Sequence, residues 1–236
     1  MITIRKAEQR GHANRGWLNT YHTFSFADYY DPEQMGFRVL RVFNDDRVAP
    51  GKGFGAHAHR DMEILTYVLE GSLMHRDSMG ELHTFGPNTI QAMSAGTGVV
   101  HSEFNASQTE PVHFLQIWIE PAVQDAEPSY QQHVFEPREK QGRFRILAGP
   151  EENGSEPAAR IHQDARVYVA ELASGQSVKT TLRPGRHAWV QVARGDVCFN
   201  GQALREGDGA AVAGEQTLTF AADGPRETEF LLFDLP

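Results

Sequence analysis

Hydrophobic and polar residues alternate along most of the chain in short runs, and glycine or proline separates one run from the next. Alternation with a period of two residues is typical of a strand with one buried face, whereas an amphipathic helix needs apolar residues three and four positions apart. Helical patterns of that kind are scarce, and the chain contains 22 glycines and 12 prolines. The pattern therefore predicts an all-β protein built from sandwiches or barrels.

These runs also place the individual strands. We expect the polar run 44–46 to end the strand at 37–43, and we expect the strand at 22–26 to bury an aromatic face. The strands predicted in this way cover residues 2–6, 22–26, 37–43, 63–69, 73–76, 82–85, 89–93 and 113–119, and then 167–172, 178–182, 188–192, 210–213, 218–221 and 229–233.

The composition changes between residues 122 and 142, where proline, glutamine, glutamate and arginine are frequent. We interpret this segment as a linker between an N-terminal domain of residues 1–121 and a C-terminal domain of residues 143–236. The two halves also resemble each other, because Pro-Gly turns at Pro50 and Pro184 are each followed by a histidine-bearing strand and later by a strand that ends in glycine. Repetition at this scale predicts two similar structural units.

Charge and cysteine content narrow the classes of function. The formal net charge of -9 argues against binding to nucleic acid, which requires a basic face. The single cysteine, Cys198, excludes an internal disulfide and a thiolate metal site. No apolar run approaches the roughly 18 residues of a membrane span, and the N-terminus lacks the apolar core of a signal peptide. We therefore expect a soluble, cytoplasmic protein that does not bind membranes. We also expect a monomer, although charge and composition do not decide this.

Four residues with metal-ligand chemistry lie at short spacings in the N-terminal half. His57 and His59 are two positions apart, as are His101 and Glu103, and side chains two positions apart in a strand point to the same face. If the two strands are neighbours, three imidazoles and one carboxylate converge on one point. Such a set suits a divalent metal that prefers nitrogen ligands.

The same stretch contains two motifs that resemble those of the cupin superfamily. The first motif (a glycine, a His-x-His pair and an acid) and the second (a glycine, a histidine and an asparagine) are matched by Gly51, His57, His59 and Glu63 and by Gly98, His101 and Asn105. Together with segments 22–32, 57–60 and 94–103, these motifs resemble the pirin family within the cupins. The resemblance implies a bicupin, in which two cupin-type antiparallel β-barrels pack face to face and the N-terminal barrel holds one metal.

The resemblance to pirins makes His57, His59, His101 and Glu103 the metal ligands. Glu63 occupies the place where many other cupins have their acidic ligand, so it is an alternative to Glu103. Three neutral imidazoles and one carboxylate leave a divalent ion with a net charge of about +1, which an anionic oxygen of a substrate would neutralise. These ligands do not select one metal; we expect Fe(II) first, with Ni, Co, Mn, Cu or Zn as alternatives.

The resemblance also implies a reaction. Bacterial pirin-like proteins are associated with quercetin 2,3-dioxygenase activity, so we expect a metal-dependent oxidoreductase that cleaves a flavonol or related enol with dioxygen and releases carbon monoxide. Glu103 is then a candidate catalytic residue that accepts the proton of the flavonol 3-hydroxyl. Candidate apolar walls for a flat substrate are Phe54, Met74, Met93, Phe114 and Trp118.

A second class of function remains open, because the pirin family also includes members described as transcriptional cofactors. In this alternative, the chain is a metal-containing redox sensor that regulates a protein partner. The other histidines are assigned structural or surface roles. His113 is expected to be a satisfied core or rim residue, and His187 the relic of a ligand in the second unit. The histidines expected at the surface are His75, His83, His133 and His162.

Overall fold

A computed structural model describes residues 1–150 and 159–236, whose regular secondary structure is β-strand apart from two short 3-10 helices, Ala7–Gln9 and Pro137–Glu139. The first strands are β1 (Ile2–Arg5), β2 (Gly11–Asn14), β3 (Leu18–His22), β4 (Leu40–Val48), β5 (Gly53–His59), β6 (Glu63–Glu70), β7 (Leu73–Asp77), β8 (Leu82–Phe85), β9 (Thr89–Ser94), β10 (Val99–Asn105), β11 (Val112–Ile119) and β12 (Ser129–Val134). The later strands are β13 (Arg145–Gly149), β14 (Ala159–Arg160), β15 (Arg166–Leu172), β16 (Ser177–Thr181), β17 (His187–Arg194), β18 (Asp196–Phe199), β19 (Gln202–Arg205), β20 (Gly209–Ala213), β21 (Thr217–Ala221) and β22 (Thr228–Leu235). The prediction of an all-β protein is confirmed.

The chain forms two compact units. The N-terminal unit contains Gly11–Phe135 and, among the described residues, 159–163, whereas the C-terminal unit contains Met1–Arg10, Glu136–Pro150 and Asp164–Pro236. The C-terminal unit thus includes β1, which pairs with β20, and the N-terminal unit includes β12, which pairs with β9. In the described part of the chain, no helix has the length and apolar character needed to cross a membrane.

These two units place some segments differently from the predicted division into residues 1–121, 122–142 and 143–236, which stays a prediction. Strand β1 lies in the predicted N-terminal domain but hydrogen-bonds into a sheet of the C-terminal unit. Strand β12 lies inside the predicted linker but extends a sheet of the N-terminal unit. Both are edge strands that add a ladder of backbone hydrogen bonds to a neighbouring strand, a contact that composition does not reveal.

Each unit consists of two antiparallel sheets. The N-terminal unit has sheets of order β12-β9-β6-β11-β4-β3-β2 and β5-β10-β7-β8, and the C-terminal unit has the orders β1-β20-β17-β22-β15-β13 and β16-β21-β18-β19. The order β9-β6-β11-β4 recurs as β20-β17-β22-β15, and the smaller sheet recurs strand for strand. This recurrence confirms the predicted internal repeat. The sheets are separate layers, so each predicted barrel is a two-sheet jellyroll.

Most predicted strands are confirmed, including β6, β11 and β17, but the predicted end of the strand at 37–43 is wrong. Strand β4 continues through the polar run 44–46 and ends at Val48. The polar side chains are buried there because they have partners: the Asn44 amide hydrogen-bonds with His22 (2.9 Å), and the Asp45 carboxylate accepts a hydrogen bond from His113 (2.8 Å). His113 is therefore a satisfied buried histidine, as predicted.

The strand predicted at 22–26 is also placed differently. Strand β3 covers Leu18–His22, and the following residues form a loop. Ser25 holds this loop, because its backbone N–H donates to the carbonyl of Gln34 (2.7 Å) and its hydroxyl donates to the carbonyl of Asp31 (2.8 Å). The alternating pattern was correct about burial, since Phe24 is 2% exposed, but these hydrogen bonds replace those of a sheet.

Strand β5 approaches β10 so closely that one position requires glycine. His57 pairs with His101, and Gly53 pairs with Phe104 at the other end of the two strands. A Cβ atom at Gly53 would overlap the carbonyl oxygen of Glu103 and lie 2.5 Å from the Cα of Phe104. Both obstacles are backbone atoms, which cannot rotate away.

We expect Gly53→Ala to destabilise the protein by roughly 1–3 kcal/mol, because the new methyl group pushes β5 away from β10. Gly55→Ala is a matched control on the same strand, since a Cβ there meets nothing within 4 Å; its effect should stay within about 0.5 kcal/mol. Urea unfolding of the two variants measures the difference. Equal stability of the two variants would contradict the close approach.

Candidate metal centre

Three histidines of the N-terminal unit surround one point. His57 and His59 lie on β5, and His101 lies opposite His57 on β10. The ring centroids of His57 and His101 are 4.5 Å apart, and the centroid of His59 is 4.8 Å from each of the other two. Each histidine offers a nitrogen, and these ligand atoms all lie within 4.8 Å of one another. The predicted convergence of the three imidazoles is thus present in the structure.

A bulge in β5 orients the first of these rings. The register pairs His57 with His101 and Phe54 with Glu103, so Gly55 and Ala56 together face a single residue of β10. The carbonyl of Gly55, inside this bulge, accepts a hydrogen bond of 2.7 Å from Nδ1 of His57. Because Nδ1 carries the proton, the lone pair of His57 is on Nε2. Bulges commonly redirect side chains near functional sites in this way.

The donor atoms of the other two histidines fit a metal. Nε2 of His59 and Nε2 of His101 are buried, and no described residue hydrogen-bonds to either atom. A buried polar atom without a hydrogen bond is costly, and a metal ion is the partner that three adjacent imidazole nitrogens accommodate. The residues present therefore fit a divalent ion with nitrogen preference.

The environment keeps these histidines neutral. Burial, reinforced by positive charge on His57, lowers the pKa of His59 to about 4. Burial, together with charge on His57, His59 and His75, lowers the pKa of His101 to about 2. A neutral imidazole is the form that binds a metal, so protons compete weakly for these two side chains near neutral pH.

Glu103 lies beside the histidine cluster in a network from the opposite sheet. Its carboxyl is within 4.8 Å of the ligand nitrogens of His75 and His101. The Gln116 amide donates a 3.0 Å hydrogen bond to Oε2, and the Thr66 hydroxyl lies 3.4 Å from Oε1. Burial raises the pKa of Glu103 to about 7, and the hydrogen bonds from Gln116 and Thr66 oppose that rise. The carboxyl can therefore hold or release a proton near neutral pH.

Glu63, the alternative acid, lies elsewhere. It begins β6 in the larger sheet, where its Oε2 accepts a 2.6 Å hydrogen bond from the Ser94 hydroxyl and its Oε1 is 3.3 Å from Nδ1 of His162. Burial raises its pKa, and Ser94 and His162 oppose that rise. Among the described residues, Glu63 belongs to neither group of potential metal ligands.

The expectation that His75 lies at the surface is wrong. His75 is 0% exposed and lies on β7, next to β10, where it pairs with Glu103. Sequence reasoning also missed Asp77, which is buried beside it. The alternation of β7 contained the signal, since Leu73, His75 and Asp77 share one face and Leu73 belongs in the core. His133 is exposed as expected.

Three further histidines lie outside the cluster. The side chains of His83 and His162 are 39% and 44% exposed, in keeping with the surface assignment. The interpretation of His187 as a relic ligand is wrong in position, because His187 begins β17. Strand β17 is the counterpart of β6, whereas the ligands of the N-terminal unit lie on β5 and β10.

A cavity of about 490 Å³ opens next to the histidine cluster, and His57 and His59 are part of its wall. Phe54 and Trp118 line it as predicted. The other three predicted wall residues do not: Met74 is 36% exposed, and Met93 and Phe114 lie in apolar core clusters. The remaining lining residues include the aromatic side chains Trp17, Phe26 and Tyr29 and the polar side chains Thr20, His22, Asn44 and Asp46.

Asp46 is a buried acid in the wall of this cavity. Burial raises its pKa to about 7, and negative charge on Asp45 and Glu103 adds to the rise, whereas the nearby Thr20 hydroxyl opposes it. Sequence reasoning missed this acid, because it took the polar run 44–46 as the end of a strand. It is partly protonated near neutral pH and can donate a hydrogen bond into the cavity.

Family models match most of the residues in both units. The family model described as Pirin matches residues 3–119, and the model described as Quercetinase C-terminal cupin domain matches residues 147–235. The chain is 47% identical over 236 residues to a protein of Escherichia coli K12 named quercetin 2,3-dioxygenase, covering 100% of this chain and 99% of that protein. It is 38% identical over 234 residues to a pirin-like protein of Caulobacter vibrioides, covering 99% of each.

Solved structures agree with these matches. A crystal structure of a bacterial pirin from Escherichia coli in complex with nickel(II) superposes with a TM-score of 0.92 at 46% identity, covering 100% of this chain and 99% of that one. The expected fold of two cupin domains is thereby confirmed. A quercetin 2,3-dioxygenase from Acinetobacter baumannii, with a TM-score of 0.78 at 23% identity, shares the fold.

The raised pKa of Asp46 implies that the free energy of unfolding falls as this side chain ionises. An acid whose pKa is higher in the folded than in the unfolded chain destabilises the fold progressively as pH rises from about 4 to about 7, the pKa to which burial shifts it. Asp46→Asn removes this penalty. The variant should therefore gain stability over the wild type, and the gain should be roughly 2–3 kcal/mol larger at pH 8 than at pH 5. Urea unfolding of chelator-treated protein at both pH values measures it, and an equal gain at the two would refute the burial argument.

Proposed function

Because the chain belongs to the pirin family of cupin proteins, we propose that it is a metal-dependent dioxygenase that cleaves a flavonol such as quercetin. The overall reaction adds both atoms of dioxygen to the flavonol, opens its central ring and releases carbon monoxide. The relative from Escherichia coli K12 bears the name of this activity at 47% identity over the full chain. The observation in the structure that supports the proposal most is that His57 and His59 both form the wall of a cavity large enough for a flat aromatic molecule.

A divalent metal is held by nitrogen donors in this proposal. Nε2 of His57, His59 and His101 bind the ion, and Glu103 supplies an oxygen ligand from β10. When bound there, the metal would supply Lewis acidity, which lowers the pKa of a flavonol 3-hydroxyl and stabilises its oxyanion. We propose Fe(II) as the resident metal, although a related bacterial pirin was crystallised with nickel(II).

The cavity walls hold the substrate. Trp118 packs edge-on against His59, with ring centroids 4.8 Å apart, and edge-on against Phe26 at 5.3 Å. Trp17 and Phe54 form a second edge-to-face pair at 5.4 Å. Rigid aromatic walls of this kind bind a planar polyphenol by burying its faces and exclude water from the reacting ring.

Two acidic side chains interact with the polar groups of the substrate in this proposal. Glu103, beside the three histidines, accepts the proton of the 3-hydroxyl. Asp46, whose pKa burial raises to about 7, lines the cavity and donates a hydrogen bond to a substrate oxygen. We further propose that the protein acts as a monomer in the cytoplasm; a regulatory protein partner stays a prediction.

We expect metal-loaded protein to consume quercetin aerobically and to release carbon monoxide. His57→Ala and Glu103→Ala should each lower turnover by at least about 100-fold, because His57 is a metal ligand and Glu103 is both an oxygen ligand and the proton acceptor in this proposal. His133→Ala, a change at an exposed histidine, is the control and should leave turnover unchanged. Loss of flavonol absorbance and gas analysis measure the reaction for Fe, Ni, Co, Mn and Cu. Tight metal binding without turnover for every ion would refute the enzyme and favour the sensor.

Metal content tests the ligand assignment independently. His101→Ala should weaken metal binding by more than about 100-fold, since loss of a direct ligand costs more than loss of a residue that only supports one. His113→Gln is a control at a buried histidine of the same unit, which lies outside the cluster. Elemental analysis after dialysis against a chelator measures both variants. Unchanged metal content in His101→Ala would contradict the assignment.

A further inference from the structure

A chain of three buried side chains runs from β7 to the metal centre. Nε2 of His75 is 3.0 Å from Oδ2 of Asp77, and Nδ1 of His75 is 3.4 Å from Nδ1 of His101. The side chains of His75 and Asp77 are both 0% exposed. The pirin motifs do not account for either residue, and neither lines the cavity.

The direction of each hydrogen bond in this chain follows from the acid. The Asp77 carboxylate can only accept, so Nε2 of His75 carries a proton and donates to Oδ2. Neutral His75 then has its lone pair on Nδ1, which accepts from Nδ1–H of His101. His101 is left with its lone pair on Nε2, the buried atom to which no described residue hydrogen-bonds.

From this geometry we infer that Asp77 and His75 are positioning residues that hold His101 in the one tautomer able to bind metal through Nε2. The inference rests on the proposed metal-dependent function and extends it to two residues outside the ligand set. Histidine ligands commonly donate their second N–H to an acceptor that fixes ring and tautomer, and here the acceptor is a second histidine fixed in turn by an acid.

The alternative is that His75 is a ligand itself, because one of its nitrogens lies within 4.8 Å of the ligand atoms of His101 and Glu103. Its hydrogen bonds argue against that role. Nε2 is engaged by Asp77 and Nδ1 by His101, so neither nitrogen has a free lone pair for an ion. Tyr130 packs against the ring of His75, with centroids 4.8 Å apart, and holds it in place.

The hydrogen bonds around Asp77 imply that Asp77→Asn would reverse the tautomers of His75 and His101. Oδ1 of Asp77 accepts backbone N–H groups from Met79 (2.8 Å) and Glu81 (3.1 Å). In the variant these two donors keep the amide oxygen at that position, which turns the NH₂ group toward His75. Nε2 of His75 must then accept, its proton moves to Nδ1, and His101 is forced to carry its proton on Nε2. The analogous change in a Ser-His-Asp triad is disabling because it imposes the wrong tautomer.

We expect Asp77→Asn to weaken nickel(II) binding about 10- to 100-fold, measured by competition with a chelating dye. His75→Leu, which removes the acceptor, should show a similar loss. His75→Gln should recover much of the affinity, because its carbonyl can accept from His101 while its amide donates to Asp77. Glu81→Gln removes a neighbouring charge whose side chain is 44% exposed; it is the matched control and should bind as the wild type does.

Nitrogen-15 NMR of the metal-free protein reads the tautomer directly. The wild type should have His101 protonated at Nδ1, and Asp77→Asn should have it protonated at Nε2, a change that a purely structural role would not produce. If Asp77→Asn fails to fold, the comparison of His75→Gln with His75→Leu decides. Wild-type affinity in Asp77→Asn or in His75→Leu would overturn the inference while leaving the proposed function intact. If the wild type binds no divalent ion, the proposed function fails, and the NMR result alone shows whether Asp77 sets the proton on His101.

Discussion

The pairing of β5 with β10 is the contact on which the metal centre depends. It places His57 directly opposite His101, and at its far end the absence of a side chain at Gly53 lets the two backbones approach. The bulge at Gly55 and Ala56 lies between these points and supplies the carbonyl that orients His57. The register of the two strands therefore fixes the position of the bulge, and the bulge fixes the orientation of the His57 ring. The histidines need no flexible loop to bring them together, which suits a site that must be pre-organised for an ion.

The same strand order encloses two different interiors. In the C-terminal unit, β21 buries Leu218 and Phe220 in a continuous apolar cluster with residues such as Phe230. In the N-terminal unit, its counterpart β10 buries His101 and Glu103 instead. Desolvating imidazoles and carboxyls costs free energy unless each has a partner, and Gln116, Thr66, His75 and Asp77 are those partners. In the duplicated scaffold, β21 therefore contributes apolar packing to the C-terminal unit, whereas β10 contributes a polar network that lies beside the apolar clusters of the N-terminal unit.

Local patterns predicted the fold well. Alternation and turn residues placed most strands, the repeated Pro-Gly signals indicated two similar units, and the spacing of His57, His59 and His101 located the cluster. The errors share a physical cause: burial of polar residues is decided by partners distant in sequence. The run 44–46 reads as a turn, yet β4 continues through it because His22 and His113 supply hydrogen bonds. His75 reads as a surface residue until β7 is placed beside β10.

The assignment of β1 to the C-terminal unit has a consequence for biosynthesis. Its partner β20 begins at Gly209, about 200 residues later in the chain. At a ribosomal rate of roughly 5–20 residues per second, β1 waits on the order of 10–40 s before a partner strand exists. The N-terminal unit can close around its own strands during that interval, while β1 remains an open edge. The basic residues Arg5 and Lys6, at its end, are of the kind that discourages such an edge from pairing with another nascent chain.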